Sequence, residues 1–342
     1  MDNKLKVQLL GNDSIDEQVT VFMKAFDLTE SFENVRKFWI NKHYDNPISP
    51  SYIFGVYDGD MLVSENVYLP QQYFYNSKII EIIQSCESGT IPEYRGRGLW
   101  RKVVIYAVEY FADQGKYDAL IGFPNYETSF PGFMKMRWDH ILNMDNYIMV
   151  LNPINFAKCY FGKELLFSKI LAIQRIRTID FKRKYQICEV GEDKKQYLQA
   201  GIELIRGESF YRWKEKYKKL KMFGLDDNSG NYVATCSYIN GSYNNYPMIY
   251  LLNIVTEDTK IDEDKIYGAC INELYRRYPD AALIRSWAVE NSKKALRHKK
   301  LLFIKAKHKN PFIVYQLKED NIKKAELLKI ENWSNLSFLN LD

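Results

Sequence analysis

Apolar and polar positions change period several times along the first part of the chain. Residues 4–10 alternate between the two kinds and predict a short strand. The apolar spacing then lengthens to that of a helix, which Asp13 or Ser14 can cap and which ends near residue 28. A second amphipathic stretch, residues 31–43, predicts another helix. The chain is therefore expected to begin with one strand and two helices.

Strict alternation returns after residue 50. Three runs separated by turn signals predict antiparallel strands, at residues 53–57, 61–68 and 79–90. Asp58 and Gly59, between the first two runs, have the composition that hairpin turns favour. The pattern therefore predicts a mostly antiparallel sheet.

A helical period follows over residues 99–112, where five apolar side chains share one face: Val103, Val104, Ala107, Val108 and Phe111. Gly115 is placed to end this helix. A short apolar strand at 119–123, a helix near 130–136 and a final hairpin at 141–150 complete the unit. The fold class predicted for residues 1–151 is α/β (α+β), a sheet flanked by helices.

The second half repeats this order of elements. YRWKEKY (211–217) echoes KFWINKHY (37–44), and FGLDDNSGNYVATCSY (223–238) echoes FGVYDGDMLVSENVY (54–68). Phe54 and Asn125 are 71 positions apart (125 − 54), and their counterparts Phe223 and Asn291 are 68 apart (291 − 223). Matching order and spacing predict a duplicated domain.

The duplication sets the expected domain boundaries. We assign residues 1–151 to the first domain, 152–191 to a bridging segment with a helix at 154–173, 192–320 to the second domain and 321–342 to a C-terminal tail. Trp39 and Trp213 occupy corresponding places and are expected in the core or between the domains.

Composition narrows the cellular setting and the chemistry. The 342 residues carry a net charge of +5, too small by itself to predict nucleic-acid binding. Five cysteines without CxxC spacing predict reduced thiols, a cytoplasmic location and no metal site. The sequence shows neither a signal peptide nor an apolar run of membrane-spanning length. Nothing in it predicts the oligomeric state.

The stretch PEYRGRGLW (92–100) combines two glycines and two arginines directly before the predicted helix. A helix start offers unpaired N–H groups and the positive end of the helix dipole. Glycines allow close approach of an anion, and arginines add charge. Phosphate or pyrophosphate is therefore the expected ligand of Arg95, Gly96, Arg97, Gly98, Leu99 and Trp100.

Two common phosphate-binding motifs do not fit this stretch. The P-loop spacing is absent, and Arg101 stands where the dinucleotide fingerprint needs its third glycine. The second half has the acidic TEDTKIDEDKIYG (256–268) at the corresponding place, without paired glycines. The second copy is therefore expected to be degenerate and unable to hold a phosphate in the same way.

TIPEYRGRGLWRKV resembles the acetyl-CoA signature of the GNAT (Gcn5-related) N-acyltransferases, R/Q-x-x-G-x-G/A at the start of a helix. Arg95 and Gly98 match it, and Trp100 replaces the usual small residue. GFPNYETSFPGFMKMRW (122–138) resembles a segment of two-domain bacterial GNAT proteins, and the tandem arrangement resembles Eis-like acetyltransferases. The tight match covers residues 86–138.

The resemblance implies a tandem GNAT fold and acetyl-CoA as the co-substrate. It implies that the pyrophosphate lies on the amides of the glycine–arginine loop and that the strand edge at Thr90 and Ile91 contacts the pantetheine arm. Asn125 matches an asparagine that commonly contacts the cofactor. Phe133 falls where many members carry a tyrosine that protonates the leaving thiolate.

The implied reaction is the attack of an amine on a thioester, which benefits from a base. Glu87, on the strand before the loop, is the predicted base, with Glu81 as its rival. Tyr126 can replace the missing tyrosine as the acid. The four histidines show no triad or metal spacing. The basic run 293–309 fits a solvated face or the recognition of an anionic acceptor.

These observations predict an acyl-CoA-dependent N-acetyltransferase acting on a small-molecule amine, with an amino sugar as the favoured acceptor. The amino sugar rests on the resemblance to proteins of cell-surface polysaccharide chemistry. One alternative is a tRNA-dependent aminoacyl transferase of the FemABX type, which needs no coenzyme A. Another is a non-catalytic acyl-CoA-binding regulator, which Phe133 favours.

Overall fold

The computed structural model describes residues 5–161, 185–190, 201–227, 229–243, 246–256, 263–334 and 336. Its helices are α1 Ile15–Phe26, α2 Phe32–Trp39, α3 Leu99–Gln114, α4 Phe130–Lys135, α5 Pro153–Phe161, α6 Glu208–Lys218, α7 Glu263–Arg277, α8 Lys293–Lys300 and α9 Lys324–Leu327. Its strands are β1 Leu5–Leu10, β2 Tyr52–Asp58, β3 Met61–Tyr75, β4 Lys78–Thr90, β5 Ala119–Gly122, β6 Asp139–Val150, β7 Tyr185–Cys188, β8 Ile202–Leu204, β9 Leu220–Asp227, β10 Tyr232–Tyr243, β11 Tyr246–Thr256, β12 Leu283–Val289, β13 Ile304–Gln316 and β14 Trp333–Ser334. Among these helices, none has both the length and the apolar character needed to span a membrane.

Twelve of the described strands form one mixed sheet in the order β1-β2-β3-β4-β5-β13-β6-β12-β11-β10-β9-β7. Along this path, β4 with β5 and β11 with β12 are parallel pairs, and the other pairs are antiparallel. The predicted mixed α/β class with a mostly antiparallel sheet is therefore confirmed.

The hairpins of the first half differ in detail from the sequence pattern. Asp58 pairs with Met61, so the two turn residues are Gly59 and Asp60, one position later than predicted. Strand β3 continues seven residues beyond the predicted end at 68 and turns at Asn76 and Ser77, whose φ angles of 47° and 62° are left-handed. Asparagine tolerates this region, which favours a tight two-residue hairpin turn.

Helices cover both faces of the first four strands. Phe54 and Tyr68 meet the ring of Phe111 on α3, with ring centroids 5.6 and 5.2 Å apart. On the opposite face Gly89 of β4 lies against α1, because a Cβ built at Gly89 would come within 2.8 Å of the Ala25 Cβ. The sheet is thus buried between α1 and α2 on one side and α3 on the other.

Strands β6 and β13 are exchanged between the two halves. β13, from the second half, lies between β5 and β6, and β6 pairs with β13 along one edge and with β12 along the other. The hairpin predicted at residues 141–150 is wrong, because this stretch is one strand with partners on both edges. Tertiary pairing overrides the local turn signals of its asparagines.

The second half repeats the element order of the first, as the sequence predicted. α6 corresponds to α2, β9 to β12 correspond to β2 to β5, and the parallel pair β11–β12 corresponds to β4–β5. Helix α5 matches the start of the predicted bridging helix 154–173, whose remainder lies outside the described residues. Residues 257–262, in the first half of the acidic counterpart of the glycine–arginine loop, also lie outside them.

The segment assigned to a C-terminal tail packs on the first half. Ile322, Leu327 and Trp333 are buried in the same apolar cluster as the first-half strands. The indole N–H of Trp333 donates to the carbonyl oxygen of Leu327 at 2.8 Å, and its ring contacts Phe312 and Tyr73. Strand β14 pairs with β8, which in turn pairs with β3.

Candidate active site

An open slot lies at the carboxyl end of the short strand β5, because β4 on one side and β13 on the other extend beyond it. The parallel pairing of β4 with β5 ends at Ser85 and Gly122, and β4 continues to Thr90 paired only with β3. On the other side β13 pairs with β5 from Ile313 onward, and its preceding residues extend past the end of β5. Two strand spacings separate β4 from β13, about 10 Å. Ligands commonly bind beyond the carboxyl ends of parallel strands.

The glycine–arginine loop borders this slot. A single 3₁₀ turn, Pro92–Tyr94, leads into Gly96 and Gly98, whose φ angles of 76° and 72° are left-handed. A side chain is strained there, so glycine is the natural residue at both places. Helix α3 begins directly afterwards, and the backbone N–H groups of Leu99, Trp100 and Arg101 have no hydrogen-bond acceptor among the described residues.

Both arginines of the loop carry their charge at its rim. The Arg95 guanidinium donates to the carbonyl oxygens of Ala25 at 2.8 Å and Thr90 at 3.2 Å, which ties the loop to the end of α1. Arg97 donates to the Glu93 carbonyl oxygen at 3.1 Å and lies over the Tyr94 ring. Both side chains remain exposed.

A pocket of about 370 Å³ opens at this place. It is lined by Thr90, Tyr94, Arg95, Gly96, Gly98, Leu99, Trp100 and Arg101. Free N–H groups, bare glycine backbone and the side chains of Arg95 and Arg101 thus line one pocket, which is the combination that binds an anion. Of the residues predicted for pyrophosphate binding, Arg95, Gly96, Gly98, Leu99 and Trp100 line this pocket, and Arg97 is not among its lining residues.

The Trp100 side chain packs between α3 and α4. A Cβ at Gly132 would come within 2.5 Å of the Trp100 ring, so only glycine leaves room for this indole. The ring meets Phe133 edge-on at 4.9 Å, and Phe133 in turn meets Trp138 at 4.7 Å. The departure from a small residue at 100 is therefore matched by Gly132, and Phe133 is buried between two indoles.

Asn125 and Tyr126 lie in the loop that follows β5. The Asn125 side-chain oxygen accepts from the N–H groups of Glu127 at 2.9 Å and Thr128 at 3.2 Å, so it organises the approach to α4. Tyr126 is 49% exposed, and its ring stacks on Phe130 at 5.6 Å. Its hydroxyl thus has the freedom to meet a ligand.

Glu87 lies in a bulge of β4 at the base of the slot. The pairing with β3 shifts between Gly89 and Cys86, so Glu87 and Ser88 together oppose one residue. The φ of Glu87 is 36°, a left-handed value that strains a side-chain-bearing residue. Bulges next to active sites re-aim side chains, and here the carboxylate is turned towards α2.

Two cationic or titratable side chains meet the Glu87 carboxylate. Lys42 forms an ion pair with its Oε1, and His43 Nε2 lies 3.6 Å from its Oε2. Lys42 and His43 are fully buried, whereas Glu87 keeps 11% of its side-chain surface exposed. His43 Nδ1 lies 3.1 Å from the Ser51 hydroxyl. Of these three side chains only Glu87 keeps some exposed surface, although its Oε2 atom is itself buried.

A second carboxyl group shares this cluster. Glu65 on β3 is fully buried, and neither of its oxygens accepts a hydrogen bond from the described residues. Burial, and secondly the charge of Glu87, raises the pKa of Glu65 well above its usual value. Burial would also raise the pKa of Glu87, but the charges of Lys42 and His43 outweigh it and lower that pKa to about 2.

Sequence reasoning did not find Lys42, His43 or Glu65. Lys42 and Glu87 are 45 positions apart, and no motif spacing connects them. The available signal is conformational: α2 continues as a π-helical turn, Ile40–Tyr44, which carries both Lys42 and His43. Such turns are frequent at functional sites.

The rival carboxylate Glu81 lies away from the slot. It precedes Ile82, which pairs with Ala119 at the start of β5, whereas the slot opens at the end of β5. Gln72 donates to its Oε1 at 2.8 Å.

In the part of the chain that the structure describes, no group of three or more His, Cys, Asp or Glu side chains is arranged to hold a metal ion.

Comparison with known proteins supports the fold described above. Residues 6–140 match the family model of the acetyltransferase (GNAT) domain. The fold is similar to a GCN5-related N-acetyltransferase from Anabaena variabilis (TM-score 0.61, 9% identity, 92% of this chain and 73% of that one). It is also similar to a tandem GNAT protein from the clavulanic acid biosynthesis pathway (0.57, 11%, 93% and 100%) and to Eis1 from Mycobacterium abscessus (0.52, 9%, 92% and 74%). No curated protein matches the sequence.

Proposed function

We propose that this acyltransferase transfers an acetyl group from acetyl-CoA to the amine of a small molecule, because residues 6–140 match the family model of the acetyltransferase (GNAT) domain. We favour an amino sugar as the acceptor, on the resemblance of GFPNYETSFPGFMKMRW to two-domain proteins of polysaccharide chemistry. The observation that carries the proposal is the alignment of an anion-binding loop, an open strand edge and the partly exposed Glu87 side chain along one slot.

The donor occupies the loop and the open edge of β4 in this proposal. Its pyrophosphate meets the free N–H groups at the start of α3, with Arg95 and Arg97 at the rim. Its pantetheine arm runs along residues 87–90, which lie beyond the pairing of β4 with β5 and have β3 as their strand partner. This arrangement delivers the thioester to the bulge at Glu87.

The acceptor nitrogen attacks the thioester carbon directly. A C–N bond forms, the C–S bond breaks, and coenzyme A leaves as a thiolate that takes up a proton. A backbone N–H of the splayed strand stabilises the oxyanion. Glu87 accepts a hydrogen bond from the amine and takes its proton as the nitrogen becomes positive. Tyr126, which is half exposed, donates the proton to the thiolate.

The strength of Glu87 as a base sets a condition on the acceptor. An alkyl amine with a pKa of about 10.4 needs roughly 4–5 kcal/mol to lose its proton at neutral pH. A carboxylate whose pKa is lowered to about 2 does not remove that proton before the attack. The acceptor therefore enters as its neutral minority form, and Glu87 stabilises the charge that develops in the transition state.

The buried Phe133 side chain has no hydroxyl that could protonate a thiolate. This favours one alternative, an acyl-CoA-binding regulator. A turnover assay separates the two. Thiol release from acetyl-CoA is measured with amino sugars, polyamines and aminoglycosides, for wild type and Glu87→Gln. Amine-dependent release that falls at least tenfold in the variant supports the enzyme. Tight acetyl-CoA binding without release with any amine supports the regulator.

A further inference from the structure

The second half of the chain contacts the Lys42 turn directly. The indole N–H of Trp213, on α6, donates to the carbonyl oxygen of Asn41 at 2.9 Å and to that of Lys42 at 3.1 Å. A π-helical turn displaces carbonyl groups from the regular helical hydrogen-bond ladder. Trp213 supplies a donor for two of them, which fixes the backbone that carries Lys42 and His43.

The same helix also holds the Lys42 side chain. The ammonium lies 5.8 Å from the ring centroid of Tyr217 on α6 and 5.9 Å from that of Phe38 on α2. The two rings meet edge-on at 6.0 Å, and Tyr217 packs against Trp213 at 5.0 Å. Two aromatic faces therefore confine a flexible side chain whose charge points at Glu87.

We propose that Trp213 and Tyr217 are positioning residues, through which the second half of the chain holds Lys42 against the Glu87 carboxylate and so sets the state of the catalytic site. The proposal deepens the acetyl transfer proposed above and rests on it. It gives α6, the counterpart of α2, a role that does not require the second half to bind coenzyme A.

The other groups near Glu87 do not take over the role of Lys42 beside its carboxylate. His43 approaches from the same turn, Glu65 from β3 and the thiol of Cys86 from β4, and of these groups Lys42 alone is a fixed cation. On α6, Lys214 lies over the Tyr217 ring at 5.3 Å, a second cation that Tyr217 orders. The exposed pair between Lys216 and Asp45 lies at the surface, where ion pairs contribute little.

The test uses the full chain with three variants on one helix. Tyr217→Leu removes the ring beside Lys42. Tyr217→Phe keeps the ring and removes only the hydroxyl. Tyr211→Leu makes the same change at another buried tyrosine of α6, which lines a pocket beside Arg277 and is not among the rings that meet Lys42. Urea unfolding first establishes that all three variants are folded.

The first measurement does not depend on turnover. The ¹³C signal of the Glu87 carboxyl, assigned with Glu87→Gln, is titrated in each protein. Loss of the ring frees Lys42, so the pKa of Glu87 is expected to rise by about one unit or more in Tyr217→Leu. Tyr217→Phe and Tyr211→Leu should match wild type. No rise in Tyr217→Leu, or an equal rise in Tyr211→Leu, overturns the proposal.

The second measurement connects the position of Lys42 to the reaction. Tyr217→Leu is expected to lower kcat about tenfold or more, with the affinity for acetyl-CoA within about twofold of wild type. Tyr217→Phe should restore kcat. A shifted carboxyl signal with unchanged kcat overturns the catalytic role of the contact. A wild type that shows the low Glu87 pKa but transfers acetyl to no amine contradicts the proposed function, and the titration still decides whether α6 positions Lys42.

Discussion

Lys42 and Glu87 form an ion pair in which the Lys42 side chain is fully buried and the Glu87 side chain keeps 11% of its surface exposed. The pair joins the π-helical turn after α2 to the bulge of β4 at the slot. Removing one partner of a buried pair leaves the other charge uncompensated in a medium of low dielectric. The pair is therefore both a structural connection and the group that keeps Glu87 ionised.

Lys42→Met tests the structural part of this account. The variant keeps most of the apolar stem and removes the charge, so we expect a loss of about 3–5 kcal/mol in the free energy of unfolding at neutral pH. The measurement is urea unfolding. Lys102→Met, an exposed lysine on α3, is the control and should change stability by less than about 0.5 kcal/mol. A Lys42→Met protein as stable as the control would contradict the pairing.

Glu65→Gln tests the buried neutral carboxyl. The pKa of Glu65 is raised in the folded protein, so between its unfolded value and its folded value the folded state keeps a proton that the unfolded state has released. Stability therefore falls as pH rises through this window, and glutamine does not suffer this loss. Relative to wild type, the variant should gain about 1 kcal/mol or more between pH near 5 and pH near 8.

The measurement is the unfolding free energy of both proteins at the two pH values. Glu87, whose lowered pKa contributes stability that is lost only as pH falls below its unfolded value, is present in both and affects the difference little. A difference that stays constant, or that turns against the variant at high pH, would mean that Glu65 is ionised in the folded protein.

The acid limb of the pH–rate profile should reflect the acceptor amine and not Glu87. The pKa of Glu87 is lowered to about 2, so this group stays ionised throughout the working range and adds no acid limb of its own. The limb should instead follow the pKa of the acceptor amine. Two acceptors whose amines differ by about two pKa units should shift the limb of kcat/KM by about the same amount. A limb that stays fixed for both would assign it to an enzyme group.

Gly132 and Trp100 should behave as a coupled pair. Gly132→Ala brings a Cβ against the indole at 2.5 Å, so Trp100 must move, and the start of α3 moves with it. We expect acetyl-CoA to bind about tenfold more weakly, because the free N–H groups lose their alignment. Gly207→Ala, where no atom lies within 4 Å of the new Cβ, is the control.

The double variant Trp100→Leu, Gly132→Ala removes the clash and should recover part of the affinity for acetyl-CoA. The coupling between the two substitutions is obtained from a double-mutant cycle of dissociation constants. Additive effects would show that Trp100 does not transmit the strain to the loop.

The sequence was sufficient to predict the elements that local pattern controls. The strand, loop and helix around Gly96 and Gly98 follow from alternation, glycine spacing and helical period, and the duplication follows from repeated order. The exchange of β6 and β13 was not predictable, because strand partners far apart in the chain leave no local signal.

The candidate site likewise has a part that the sequence predicted and a part that it did not. The glycine–arginine loop is contiguous in sequence and was found, whereas the cluster around Glu87 is assembled from α2, β3 and β4 and was found only in part. No motif spacing links His43 to Glu87, yet a π-helical turn brings its Nε2 to 3.6 Å from the carboxylate. Trp213 was expected in the core or between the domains, and it lies between the halves with its N–H on the Lys42 turn.

The most direct test of the central claim is the calorimetric titration of acetyl-CoA into wild type, Gly98→Glu and Gly115→Glu. Both glycines are left-handed, with φ of 72° and 60°, and neither has an atom within 4 Å of a new Cβ, so the two substitutions bring similar backbone strain and the same charge. Gly98 precedes α3 at the loop and Gly115 follows its other end. We predict micromolar binding by wild type and Gly115→Glu, and a loss of about a hundredfold or more in Gly98→Glu. Equal binding by the two variants, or no binding by the folded wild type, would contradict a coenzyme A site at the glycine–arginine loop.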